Sequence, residues 1–388
     1  MPGKRRGKNE GGIYRRNDGT WIGAVTVGYE NGVQKRRSVS GKTRADVAEK
    51  IYQIKADLKS QRFVKPSAIL FGDYLDSWIN KKRDFQKIKP STLTNYSQNI
   101  ENHIKPALGK LRIQKLTPKI LNDFYAAKLS EEIKITKDRK KKREAKTVMK
   151  LHAIIRNALK HAVREGLVSR NVAEDTDKPK PKKHELSVLT EQQLRDLLEH
   201  AKTYPTPKKP NLNVYPIFFL ELYTGLRRGE LLGLKWSNVD LDNKTIRITE
   251  TVLEVGGKLL VETPKTSSSI RTLAISDEVA ELLIAHKEKT GNAEYVFPSH
   301  AGTPIHPRNL LRIFHALLDK ANLPQVRFHD LRHAYASMLV SKNIHPRVIQ
   351  HRLGHSDIRT TMNIYSHVLQ EVDRDVANSF SLISVAEE

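Results

Sequence analysis

His329, Asp330, Arg332 and His333 fall within five consecutive positions, in the stretch HDLRH. At helical spacing the two histidines share a face at i, i+4, as in zinc-binding helices that carry a glutamate after the first histidine. Here that place holds Asp330, whose shorter carboxylate reaches less far toward a bound water, and no spacing supplies an obvious third ligand. HRLGH at 351–355 offers a second pair, but Gly354 is expected to end its helix and spoil the shared face. No metal is therefore expected. At i, i+3 a different chemistry emerges: His329, a proton carrier at neutral pH, stands one turn from Arg332, a permanent planar cation suited to phosphate.

Other stretches strengthen the phosphate reading. YTGLRRGELLGLKW (223–236) presents Arg227 just after Gly225, with Glu230 one turn on and Leu231, Leu232 and Leu234 behind. An arginine so near a buried face must be paired, and Glu230 is spaced to steady its guanidinium while the fork faces a ligand; a purely structural ion pair is the competing reading. ETPKTSSSIRTLAI puts Lys265 in a polar turn beside strands, where an ammonium could swing onto a substrate or simply stay solvated. In VIQHRLGHSDIRTTMNIYSHV, Gly354 stops one helix, His355 follows at the break, and Ser356 or Asp357 caps the next helix, which carries Tyr365.

The elements that must position these groups can be read from periodicity and punctuation. Asp18-Gly19 marks a hairpin, and TWIGAVTVGY alternates with Trp21, Val25, Val27 and Tyr29 on one face. VQKRRSVSGK is a third extended run, and Thr43 caps a helix with Val47, Ile51, Ile54 and Leu58 at helical spacing. Arg15, Arg16, Lys35, Arg36 and Arg37 on such a sheet would suit a DNA groove; a plain solvated edge competes equally. Next come helices holding Phe71, Leu75 and Trp78; Leu93, Tyr96, Ile100 and Ile104, capped by Ser91; one begun by Thr117-Pro118; and one running from Thr147 to Gly166. KITKDRKKKREAK between the last two is too charged for a core and reads as a loop or a helix end. DTDKPKPKKHEL, with prolines among lysines, is an extended basic strap. Beyond it, helices at 190–203 and 214–223 precede a hairpin formed by IRITETVLE, Gly256-Gly257 and KLLVET, and helices continue to the end. The fold class is multidomain α+β. A three-stranded sheet plus helix (1–64) is followed by a helical bundle (69–175), a basic linker (176–187) and a mixed, mainly α domain with a small antiparallel sheet (188–388).

Composition agrees. The chain has 388 residues, a formal charge of +25 and no cysteine. That excess calls for a polyanionic partner, and the missing cysteines exclude disulfides, thiolate zinc and thiol nucleophiles. No apolar run approaches a membrane span, so a soluble, cytoplasmic protein is expected.

TGLRRGE, HDLRH and LGHSDIRTTMNIY, in this order, closely resemble the tyrosine recombinases, the phage-integrase type of DNA strand-exchange enzyme. The resemblance spans the chain from about residue 187 onward. The two N-terminal regions resemble the arm-binding and core-binding domains of the larger integrases. It implies a catalytic set of Arg227, Lys265, His329, Arg332, His355 and Tyr365, with Lys258 an alternative to Lys265 and Glu230 in support. It further implies a site-specific recombinase of a phage or other mobile element working through a 3′-phosphotyrosine and a Holliday junction, with no metal, cofactor or ATP. Double-stranded attachment sites, a homotetramer on synapsed DNA and an accessory directionality factor would be its partners. The last residues, with Val368, Val372 and Val376 at helical spacing, would dock on a neighbouring subunit or on their own domain. The competing functions are a sequence-specific DNA-binding regulator, a type IB topoisomerase and a metal-dependent phosphohydrolase built on HDLRH.

Overall fold

The computed structural model describes residues 12–60, 64, 66–85, 88–134, 140–179, 189–204, 214–264, 269–362 and 364. The chain divides into two compact units, Met1–Lys183 and His184–Glu388.

The first unit opens with an antiparallel sheet of β1 (Ile13–Arg15), β2 (Trp21–Glu30) and β3 (Val33–Gly41), in that order, covered by α1 (Arg44–Lys59). Thr43 and Asp46 close a capping box at the start of α1, each side chain accepting the other's backbone N–H at 3.1 Å. Val47, Ile51 and Ile54 pack on Val25. Gly23 permits that approach, because a Cβ there would lie 2.6 Å from Ile51 Cδ1. The expected single face of β2 does not persist. A bulge between Thr26 and Gly28 makes Tyr29 the cross-strand partner of Gln34, whose amide bonds Thr26 on the face away from Val25, and Tyr29 is exposed.

The helical part comprises α2 (Phe71–Phe85), α3 (Pro90–Asn99) running through a π turn at Ile100–Ile104 into α4 (Lys105–Leu108), α5 (Pro118–Ser130) and α6 (Ala145–Arg164). Phe71, Leu75, Trp78, Ile104, Leu121, Leu151 and Ile155 form its core. Thr117 caps α5 as expected. Ser91 does not cap α3: Pro90 takes the first helical position, and Lys89 precedes it without a side-chain cap. The basic stretch before α6, expected as a loop or a helix end, carries strand as well, and its last residues, Ala145 and Lys146, begin α6. It carries β4 (Glu132–Lys134) and β5 (Lys140–Lys142), paired antiparallel, with residues 135–139 outside the described set. At the base of this pair the Arg143 N–H donates to the Glu131 carbonyl and its guanidinium pairs with the Glu131 carboxylate at 3.2 Å.

The second unit starts with α7 (Glu191–Lys202), α8 (Tyr215–Thr224) and α9 (Arg228–Leu232). α8 is apolar nearly all round and accordingly central. Phe218 stacks at 5.9 Å on Phe314 of α11 (Pro307–Lys320) and lies 6.2 Å from Phe328 at the start of α12 (Phe328–Ser341). The expected long strand IRITETVLE is two. β7 (Thr245–Ile248) pairs with β6 (Val239–Asp240) and β10 (Arg271–Ala274), whereas β8 (Thr251–Val255) pairs with β9 (Lys258–Glu262). Gly256 and Gly257, both at positive φ, supply the left-handed turn of that hairpin. α10 (Asp277–Thr290) packs on α8, and α13 (Pro346–Leu353) seats Ile349 and Leu353 on Tyr335, Ala336 and Val340 of α12. The whole is mixed α+β, with a small N-terminal sheet and mainly helical remainder.

Candidate active site

The site is assembled where three helix ends and one strand converge. α8 ends at Gly225, in the left-handed conformation at φ +61°, where a Cβ would strike the Tyr335 ring. The chain then turns so that Arg227 becomes the N-cap of α9, and Glu230 reaches back from the third helical position. Glu230 Oε2 accepts the Arg227 backbone N–H at 3.1 Å, and its Oε1 accepts from Arg227 Nη1 at 2.7 Å. α13 ends at Gly354, again left-handed at φ +62°.

Three arginines from three different elements donate to three successive carbonyls at that helix end. Arg271 Nε on β10 bonds the Arg352 carbonyl at 2.8 Å, Arg332 Nη2 on α12 bonds that of Leu353, and Arg227 Nη2 bonds that of Gly354 at 2.7 Å. The carbonyls at a helix C-terminus lack intrahelical partners and carry its partial negative charge, so they suit guanidinium donors. Arg332 spans further, its Nη1 bonding the Gly225 carbonyl at 2.7 Å, and so ties the ends of α8 and α13 together. Burial, and then the neighbouring Arg227, pull the Arg332 guanidinium down to about 9, which leaves it charged at neutral pH.

His355 follows immediately. Its Nδ1 shares a hydrogen bond of 2.9 Å with the hydroxyl of the buried Thr361, and Gln350 Nε2 bonds its carbonyl. Asp357 accepts the Arg359 N–H, capping the helical stretch 358–362, the second of the two expected capping residues. Burial first, then Arg332 and Arg227, push the His355 imidazole down to about 3. His329, exposed at the start of α12, is held down to about 4, chiefly by the protein packed on its inner side and then by His333 and Arg332. Both rings are neutral at pH 7, and an anion entering beside them would raise their basicity. His329 and His333 meet edge-to-face with centroids 5.0 Å apart. Asp330 is engaged elsewhere: it caps α12 by accepting the Arg327 N–H at 2.8 Å and pairs with the Arg327 guanidinium at 2.7 Å. Among the described residues no group of three or more His, Cys, Asp or Glu could hold a metal ion.

The structure thus gathers Arg227, Glu230, His329, Arg332 and His355 at one cleft. Lys265 and Tyr365, and the tail that follows, fall outside the described residues. Lys258, the alternative to Lys265, is exposed at the β8–β9 turn. The five basic residues of the N-terminal sheet lie in the other unit and do not share a face. Arg36 pairs across to Thr26 on the open side, whereas Arg37 opposes Val25 on the side covered by α1.

Two residues of the cleft went unnoticed in the sequence. Arg271 pairs with Glu230 at 2.9 Å and is almost fully buried. Its signal was an arginine at an alternate position of a strand, on the same inward face as Leu273. Glu221 is buried, with neither carboxylate oxygen bonded among the described residues. Burial raises it well above the ordinary carboxylate range, opposed by Arg332. Its signal was a carboxylate within the apolar run IFFLELY. Burial also works against ionisation of Glu230, but Arg271 and Arg227 outweigh it and hold that carboxylate below its ordinary value. Arg227 and Arg271 thus share the carboxylate of Glu230 while Arg332 is held by carbonyls, and the cluster has cationic charge left for an anion.

Comparison with known proteins matches residues 187–371 to the phage integrase family and residues 70–129 to the phage integrase N-terminal SAM-like domain, together more than half the chain. A tyrosine recombinase XerC-like protein of Caldanaerobacter subterraneus subsp. tengcongensis is 27% identical, over 89% of this chain and 91% of its own length. The ICEBs1 integrase of Bacillus subtilis is 22% identical, over 94% and 98%. Among solved structures, the Tn1549 transposon integrase in complex with transposon right end DNA superposes with a TM-score of 0.64 at 20% identity, covering 78% of this chain and 98% of that one. A lambda integrase tetramer bound to a Holliday junction superposes with a TM-score of 0.57 at 21% identity, covering 93% and 96%.

Proposed function

The chain belongs to the phage integrase family and is a tyrosine-type site-specific DNA recombinase, and from that premise we propose how its residues cut and rejoin DNA. Arg227 and Arg332 hold the two non-bridging oxygens of the scissile phosphate. The phenol oxygen of Tyr365 attacks phosphorus, the bond to the 5′-oxygen breaks, and a 3′-phosphotyrosine and a free 5′-hydroxyl result. A neutral histidine, His329 or His355, takes the phenolic proton, and Lys265 donates one to the departing 5′-oxygen. One phosphodiester is exchanged for another, so a 5′-hydroxyl from a second duplex can reverse the step without ATP. Charge gathers on the phosphate oxygens in the transition state, and each preorganised donor lowers that barrier by about 3 kcal/mol. Two fixed guanidinia meet this need, so the reading calls for no metal or cofactor.

The observation that carries this reading is the locking of Arg227 and Arg332 onto the carbonyls of Gly354, Leu353 and Gly225, with His355 on the next residue. Donors held in place before the substrate arrives require no reorganisation during reaction. We assign residues 1–64 to arm-type DNA binding through Arg15, Arg16, Lys35 and Arg36, with Arg37 turned to the helix-covered side of the sheet, residues 69–175 to core-site binding, 176–187 to a basic linker, and 188–388 to catalysis. The partners are double-stranded attachment sites, three further copies of the chain on synapsed DNA, and an accessory directionality factor. The protein would work in the cytoplasm, on the DNA of its host.

The test uses a duplex selected from a randomised pool by the full-length protein, then nicked so that the cut strand diffuses away. Covalent adduct should accumulate, and mass spectrometry should place the DNA on Tyr365. Tyr365→Phe should bind the same duplex and form no adduct. Attachment to another residue, or adduct from the phenylalanine variant, would refute the assignment.

A further inference from the structure

We propose that Arg271 is a positioning residue of the strand-exchange site, setting Arg227 through Glu230 and fixing the helix end that presents His355. The proposal rests on the recombinase reading and deepens it. Arg271 stands on β10, in register with Ile248 of β7, with its side chain turned into the unit and 1% exposed. Each of its guanidinium nitrogens is engaged. Nη2 bonds Glu230 Oε2 at 2.9 Å, Nε the Arg352 carbonyl at 2.8 Å, and Nη1 the Ser269 carbonyl at 3.1 Å. With its side chain closed off from solvent it presents no donor to a substrate, so its influence must pass through the groups it holds.

Two such routes exist. Glu230 divides its carboxylate, giving Oε1 to Arg227 and Oε2 to Arg271. Without the second cation, Glu230 is free to rotate and close both oxygens on Arg227, drawing that fork off the phosphate. The second route runs through the backbone. Gly354 lies against the Arg271 guanidinium so closely that a Cβ would come 2.8 Å from Nη1. The turn between Arg352 and His355 is therefore laid over this side chain, and the carbonyl that locks Arg227 belongs to the same turn. A lysine at 271 would keep the charge but offer one point donor in place of the three directions of the fork.

Full-length wild type, Arg271→Lys, Arg227→Lys and the double variant are compared on the selected nicked duplex, measuring affinity, single-turnover cleavage and melting temperature. Arg271→Lys should bind as the wild type does yet cleave roughly a hundredfold more slowly, the scale of one misplaced transition-state donor. In the Arg227→Lys background the same change should cost much less, because the group it positions is already gone. Equal loss of binding and cleavage, or rate losses that multiply in the double variant, would overturn the proposal and leave Arg271 a stabilising residue only. Should Arg271→Lys not fold, Arg271→Gln, which keeps a donor for Glu230 without a buried cation, is put through the same cycle and judged by the same criteria. A wild type that forms no adduct would instead defeat the recombinase reading itself.

Discussion

Cations in the second unit and cations on the N-terminal sheet are built on opposite plans. Arg271 and Arg332 are buried, and with Arg227 they are fastened to consecutive carbonyls at the end of α13. Arg15, Arg16, Lys35 and Arg36 stand in solvent on a thin sheet with a small core. Burying a guanidinium is costly unless every donor is met. The cleft accepts that cost, and in return the charge cannot move when a phosphate arrives. The sheet avoids it, leaving its long basic side chains exposed. Cations held in place suit chemistry on a phosphate, and exposed ones suit adhesion to it.

The sharpest way to break this contrast is Arg332→Lys. An ammonium cannot span the Gly225 and Leu353 carbonyls together, so the ends of α8 and α13 lose their tie and the phosphate loses a forked donor. Single-turnover cleavage should fall by roughly 10²–10³-fold with DNA affinity unchanged. A loss of affinity equal to the loss of rate would mean that Arg332 is an adhesive cation like those of the sheet.

How far these plans were legible depends on whether position or environment defines a residue. Arg227, Glu230, His329, Arg332 and His355 could be picked out because fixed spacings join each to its helix end: Glu230 at the third position of α9, His355 just past the left-handed Gly354. The carbonyl contacts joining positions 225, 332 and 353 are tertiary, and no local pattern announces them. Arg271 and Glu221 were missed for that reason; each is read as charged or structural according to neighbours more than 40 residues away. In the fold, helices came through well where caps were strong, as at Thr43 and Thr117. Strand boundaries came through poorly. Val27 looked like part of one continuous face until the bulge moved Tyr29 to the other side, and IRITETVLE hides a change of pairing partner.

A second prediction sharpens the comparison through pH. His355 is pushed from the ordinary 6.5 down to about 3, first by burial and then by Arg332 and Arg227. The unfolded chain takes up a proton near 6.5, and the folded chain does not until far lower pH. The neutral ring therefore contributes stability that is complete above 6.5 and is lost as pH falls from there toward 3. In the absence of DNA, the melting temperatures of the wild type and of His355→Gln, which does not titrate, should differ by an amount that moves against the wild type between pH 7.5 and pH 5. A pH-independent difference would show that the cleft does not impose this field on His355.

The smallest effect is expected on the sheet, where it also decides which face meets DNA. Arg36 lies opposite Thr26 on the open side of the sheet, whereas Arg37 lies opposite Val25, beneath α1. Each phosphate contact releases close to one counterion, so losing one lowers the slope of log affinity against log salt by about 1. Arg36→Ala should show that change together with a modest loss of affinity for arm-site DNA, and cleavage of a core-site duplex should be untouched. Arg37→Ala should leave the slope as it is, because its side of the strand is turned to the helix. If Arg37→Ala flattens the slope and Arg36→Ala does not, the DNA lies against the helix-covered edge of the sheet rather than its open face. If neither does, the basic strand is a solvated edge, and the excess charge of the chain finds its phosphates elsewhere.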